Sequence, residues 1–173
     1  MVLKIMGGIL IIGACAGMGN YFAKCLERRV EQLTQLYHAV LELQGEIRYA
    51  ATPLSEIMFA LGKQGRGKIA DWFLRIGKEM ELADGRSLAE IVRQTGCIEL
   101  QKTVLTKQDK EQLFRLGDSL GRLDKTQQLL ATEYYLKGLQ KELEEAKKIK
   151  KERSYLYRCL SILIGVFLMI LMI

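Results

Sequence analysis

The sequence predicts an all-α protein: a cytoplasmic antiparallel helix bundle flanked by an N-terminal and a C-terminal transmembrane helix. Three observations predict it. Uncharged apolar runs stand at both ends of the 173-residue chain. The polar stretch between them carries apolar residues at alternating spacings of three and four, the helical repeat. No segment alternates with period two between hairpin turns, as strands would. The predicted organisation is a membrane helix over 1–23, a helical domain over 24–153 and a second membrane helix over 154–173.

The first element opens with Ile5–Ala23, 19 residues without a charge. At ~1.5 Å per residue it spans about 28 Å, one hydrocarbon core. Lys4 precedes it, and Lys24, Arg28 and Arg29 follow. Cys159–Ile173 is the second uncharged run, and Tyr155, Tyr157 and Arg158 extend it, since tyrosine suits the headgroup level and arginine can snorkel. Lys147, Lys148, Lys150, Lys151, Arg153 and Arg158 lie before the second run. The positive-inside rule therefore puts residues 24–158 in the cytoplasm, with both ends voting alike. A cleaved signal peptide shares the first pattern, and Ile12-Gly13-Ala14-Cys15 resembles a lipobox. Either would export the basic collar, against the charge count. Gly13 and Gly17 form a GxxxG, a spacing that lets membrane helices pack closely. The partner could be the second span, another copy or another subunit.

In the middle, Leu26, Val30, Leu33, Tyr37, Val40, Gln44 and Ile47 form a heptad seam with one polar member. Thr52-Pro53 closes that helix and starts the next, with threonine as cap and proline first in the helix. Leu54–Leu61 is a short helix, Gly62–Gly67 a loop, and Ile69–Leu82 a third helix with Trp72, Phe73, Ile76 and Met80 on one face. Ser87 and Glu90 are spaced as a capping box opening a fourth helix that Gly96 ends. Thr106 and Asp109 repeat the capping pattern. Leu113, Leu116 and Leu120 follow. The last helix carries Leu129, Leu136 and Leu143 every seven residues, with Thr132, Leu139 and Ala146 between, and runs into the second span.

Composition excludes several functions. Hydrophobic residues at 49% are too many for a disordered chain. Cys15, Cys25, Cys97 and Cys159 form no C-x-x-C pair, and His38 is the only histidine, so redox and metal chemistry lack residues. Gly62–Lys68 fits GxxxxGK, but Ile69 replaces the magnesium-binding Ser or Thr and no strand precedes it. No cofactor and no catalytic group are expected. The net charge of +6 sits almost wholly in Lys147–Arg158, where six basic residues and Glu152 give +5. A basic cluster abutting an apolar span points to anionic lipid headgroups and away from nucleic acid.

The turn Gly117–Gln128 is the candidate partner contact. Gly117 and Gly121 are spaced for close helix approach or a helix stop. Asp124 and Gln128 lie one helical turn apart. Asp124 can equally cap the last helix, with Gln128 closing that cap.

The order of motifs resembles the stage III sporulation protein AB family over nearly the full length. The carried features begin with Lys4-Ile-Met-Gly-Gly and Arg29-x-x-Gln32-Leu33-x-x-Leu36. Leu43-x-x-Glu46-Ile47-x-Tyr49-x-x-Thr52-Pro53-Leu54 follows. The most specific is Leu116-Gly117-x-x-Leu120-Gly121-x-x-Asp124-x-x-x-Gln128, before the terminal apolar span. Lys125 and Leu123 depart from the family's usual arginine and small or polar residue. The resemblance implies a non-enzymatic subunit of a secretion-like complex linking mother cell and forespore. It is similar to the inner-membrane platform protein of type II secretion systems. It implies a partner in the cytoplasmic motor ATPase of that complex, the stage III sporulation protein AA, and in other membrane subunits. The implied location is the mother-cell-derived outer forespore membrane, facing the mother-cell cytoplasm. Two other functions compete: a scaffold self-assembling through the GxxxG and heptads, and a nucleotide-binding regulator using Gly62–Lys68.

Overall fold

The first heptad seam belongs to one unbroken helix, α1 (Val2–Tyr49). α2 (Leu54–Gln64), α3 (Gly67–Glu81) and α4 (Leu88–Glu99) follow, then a 3-10 turn over Leu100–Lys102. α5 (Lys107–Arg122) and α6 (Lys125–Met172) complete the chain. The computed structural model describes residues 2–49, 52–82, 84–122 and 124–172. Within these, the side chains of residues 2–5, 8, 9, 11, 12, 122, 171 and 172 lie outside the description. All regular structure among the described residues is helical.

The chain divides into two units, Met1–Val30 with Glu144–Ile173, and Glu31–Leu143. α1 and α6, 48 residues each, contribute to both. In the Glu31–Leu143 unit the deepest layer of α1 keeps Leu33, Val40 and Ile47 of the expected seam, but Leu36 and Leu43 take the deep places expected of Tyr37 and Gln44, which are half-buried. Burying each leucine is worth ~1.5–3 kcal/mol. A gap of about 20 Å³ at the centre is lined from five helices, including Val40, Met58, Trp72, Val92 and Leu116. The polar members of the two seams meet each other across α1 and α6. Gln44 Nε2 donates to Thr132 Oγ1 at 3.3 Å, and Thr132 donates to the Leu129 carbonyl. Trp72 Nε1 donates to the buried Thr95 hydroxyl, which donates in turn to the Ile91 carbonyl at 2.7 Å. Each buried polar group thus has a partner, which removes the cost of desolvating it.

Both capping boxes form. Ser87 and Glu90 satisfy each other's backbone N–H groups, as do Thr106 and Asp109. Arg86 pairs with Glu79 and Asp84 across the α3–α4 connection. Three local expectations are corrected. Pro53 occupies the cap position of α2 itself, with no side-chain cap from Thr52; its carbonyl accepts from Glu56 and Ile57. Gly62, Lys63 and Gln64 are the last turn of α2, so the expected loop shrinks to Gly65 and Arg66 before α3 begins at Gly67 (φ +75°). Gly96 lies inside α4 and not at its end.

Close packing explains the two glycine differences. A Cβ on Gly62 would come 2.6 Å from the Leu74 backbone nitrogen, and one on Gly77 3.0 Å from the Phe59 ring. α2 and α3 therefore touch at backbone level. Gly96 faces the Phe114 ring so closely that a methyl would collide with it. Glycine at these positions permits close packing; the helices continue because their buried faces outweigh its ~1 kcal/mol propensity cost.

Gly62→Ala is expected to destabilise the bundle by ~1–3 kcal/mol through overpacking. Gly45→Ala, in a helix position with open space around it, should stabilise by up to ~1 kcal/mol. Urea unfolding followed by fluorescence of Trp72, the sole tryptophan, checks both signs.

Candidate functional site

The α5–α6 turn is built by side-chain capping on both flanks. Asp124 Oδ1 accepts from the Gln127 backbone N–H at 2.8 Å, and its carbonyl accepts from Gln128 N at 2.8 Å. Asp124 is therefore the N-cap of α6. Gln128 does not close that cap. Its Nε2 donates to the Leu120 carbonyl at 2.7 Å, satisfying the C-terminal end of α5. Gly117 and Gly121 give close approach: added Cβ atoms would lie 2.7 Å from Val92 Cγ1 and 3.1 Å from Leu88 Cβ, both on α4. The structure thus gathers all four residues around one turn and gives each an internal task. Leu123, between them, lies outside the described residues. Gly121, Asp124, Lys125, Thr126 and Gln127 are exposed there.

The basic collar lies on α6, within the unit formed by Met1–Val30 and Glu144–Ile173. Lys147, Lys148, Lys151, Arg153 and Arg158 are exposed and Lys150 is half-buried. Lys150 Nζ pairs with Glu27 at 3.0 Å. That hydrogen bond and charge hold the Glu27 carboxyl below its ordinary range, with Arg158 and Lys24 adding to the effect. Glu27 is an addition to the expected residues; as the first carboxylate after the apolar run, it was legible as an ion-pair candidate. Lys147, Lys150, Lys151 and Arg158 share a cleft with Val30, Ser154 and Tyr155, of about 580 Å³. Lys148 and Arg153 do not line it.

In the same unit Gly13 and Gly17 are exposed, with open space where a side chain would stand. The α1–α6 contact uses Gly19 instead, packed against Ser161 and the Tyr157 carbonyl. Phe22 stacks near Tyr157 at 5.9 Å between centroids. Gly19 follows the GxxxG by only two residues but points to another side of the helix. Among the described residues one helix, α6, is long and apolar enough to cross a membrane. The N-terminal span expected over Ile5–Ala23 includes residues 5, 8, 9, 11 and 12, whose side chains lie outside the described residues.

The family model of stage III sporulation protein AB matches residues 4–173. The chain belongs to the stage III sporulation protein AB family. A relative of that name in Bacillus subtilis (strain 168) is 25% identical over 172 residues, 99% of each chain. A solved structure of a stage III sporulation protein AB superposes with TM-score 0.68 at 23% identity, covering 72% of this chain and 98% of that one. This likeness supports the helical fold. Membership of the AB family makes the chain a sporulation protein and no enzyme. It also gives the family motifs physical content. Gln32 Oε1 accepts from the Val104 backbone N–H at 2.9 Å, tying the segment before α5 to α1. Gly117, Asp124 and Gln128 shape the last turn.

Asp124→Ala should cost ~1 kcal/mol as a lost N-cap, and Gln128→Ala ~0.5–1.5 kcal/mol as a lost C-terminal hydrogen bond. Because they serve different helices, the double variant is expected to lose about the sum, measured by urea unfolding on Trp72 fluorescence.

Proposed function

We propose that the protein is a membrane-anchored platform subunit of a sporulation secretion-like complex linking mother cell and forespore. It recruits or regulates the cytoplasmic motor ATPase of that complex, the stage III sporulation protein AA. The observation that carries this is the continuity of α1 and α6. Each is a single helix supplying both seam residues of the Glu31–Leu143 unit and an apolar end. Both apolar ends then cross the membrane, as helices over 1–23 and 154–173, with the domain over 24–153 on the cytoplasmic side. The membrane is the mother-cell-derived outer forespore membrane. The resemblance to type II secretion platforms supplies the ATPase and the other membrane subunits as partners.

The turn formed by Gly117, Gly121, Asp124 and Gln128 is the proposed ATPase contact. The two caps leave Gly121, Asp124, Lys125, Thr126 and Gln127 facing solvent, where a partner can reach them. Gly13 and Gly17 favour a membrane-helix partner outside this chain, since the chain's own contact uses Gly19. That same observation supports the second reading, self-assembly of copies, which crosslinking through Cys15 would reveal. The nucleotide-regulator reading loses its loop: Gly62 is buried against α3, and only two residues separate α2 from α3.

Protease added to inverted vesicles is expected to digest residues 24–153 and leave two protected fragments; digestion only in right-side-out vesicles would reverse the topology. Co-purification of the full chain with the ATPase is expected for the wild type. Lys125→Glu, which leaves both caps intact, should weaken it at least tenfold. Unchanged binding would move the contact elsewhere.

A further inference from the structure

The collar holds its charges in two settings. Lys147, Lys151, Ser154 and Arg158 are spaced 4, 3 and 4, so they share one face of α6. Lys150 flanks that face and is held by Glu27 at 3.0 Å. Val30 and Tyr155 line the same open cleft of about 580 Å³. Lys148 and Arg153 are equally exposed but lie off this face. A purely diffuse attraction to a charged surface needs no such sorting. A seated anion does: two ammonium groups, a guanidinium able to bind phosphate with two parallel N–H donors, and a hydroxyl converge on one space. The face leads straight into the apolar run from Cys159, which selects a ligand with both phosphate and acyl chains.

We infer that the cleft of Lys147, Lys151, Ser154 and Arg158 seats the phosphodiester headgroup of one anionic phospholipid. Glu27 positions Lys150 at its edge, and the ion pair keeps that lysine directed across the two helices. The inference rests on the membrane reading of α6 above. Vesicle proteolysis tests that reading separately, and ATPase co-purification reports on the platform role, so the three can fail independently.

The experiment is native mass spectrometry of the full-length protein in detergent, titrated with phosphatidylglycerol or phosphatidylcholine. One phosphatidylglycerol should be retained in preference to phosphatidylcholine. Lys151→Gln should weaken it about fivefold and Lys151→Gln with Arg158→Gln roughly 30-fold, on the scale of one charge near a lipid surface. Arg153→Gln, off the cleft yet nearer the span, should leave it within twofold. Diffuse attraction predicts the reverse order, with Arg153→Gln at least as damaging as Lys151→Gln; that result overturns the site. Equal retention of phosphatidylcholine also overturns it. Displacement by millimolar inorganic phosphate would identify a soluble phosphate ligand and overturn the lipid assignment. Trp72 fluorescence melts unchanged from wild type establish that each variant is folded.

Discussion

The buried seam of α1 is the constraint on which the helical unit depends. Leu33, Leu36, Val40 and Leu43 expose at most 1% of their surface. The short helices have too few residues to be stable alone, since isolated helices below ~12–15 residues are marginal in water. α2 and α4, with 11 and 12 residues, exist because their apolar faces find the core and the flanks of α3. Trp72 and Ile76 from α3, Ile91 and Val92 from α4, and Leu113, Leu116 and Leu120 from α5 complete the same core. Glycines at 62, 77, 96 and 117 remove the side chains that would hold these short helices apart.

The elements with redundant signals were legible in the sequence. The α6 seam, the capping box at Ser87, the N-cap at Thr106 and the polar turn at Asp124 each combine residue type with spacing, and the structure realises them, whereas on α1 Leu36 and Leu43 displace Tyr37 and Gln44 from the core. Gln44 was visible as the polar member of one seam and Thr132 as a member of the other; their pairing was not, because register between distant segments has no local signature. Glycine misled at Gly62 and Gly96 for a physical reason. The same missing side chain that weakens a helix also lets two helices approach, and only the tertiary neighbour decides which effect wins. At Gly13, Gly17 and Gly19 the spacing rule singled out the pair, while the face opposite Ser161 selected the third. The candidate partner turn was legible as a group, but that Gln128 serves the end of α5, and not the cap of α6, was not. A glutamine can reach back eight residues across a turn as readily as four along a helix.

Charge in this chain is organised by position more than by amount. Most of the +6 lies in twelve residues of α6, and one of those lysines is bound to Glu27. Within the Glu31–Leu143 unit three ion pairs link neighbouring elements, Arg75 to Glu99, Arg93 to Asp118 and Arg86 to Glu79, while Lys68–Asp71 and Lys137–Glu133 stay within one helix. Such partly exposed pairs contribute at most ~1 kcal/mol each. Their use is orientation, since each fixes which edge of one helix meets the next.

The hydrogen bond between Gln44 and Thr132 has a consequence for how the two long helices can move. If one slid along the other by a single turn, ~5.4 Å, the amide and the hydroxyl would lose each other. The seams are otherwise leucine-rich and would tolerate that displacement, as repeating apolar surfaces do. One polar pair thus makes the axial register discrete: small rotations and lateral shifts stay inexpensive, but sliding must break the bond. The pair in the middle of the seams acts as a detent against axial slip of one long helix along the other.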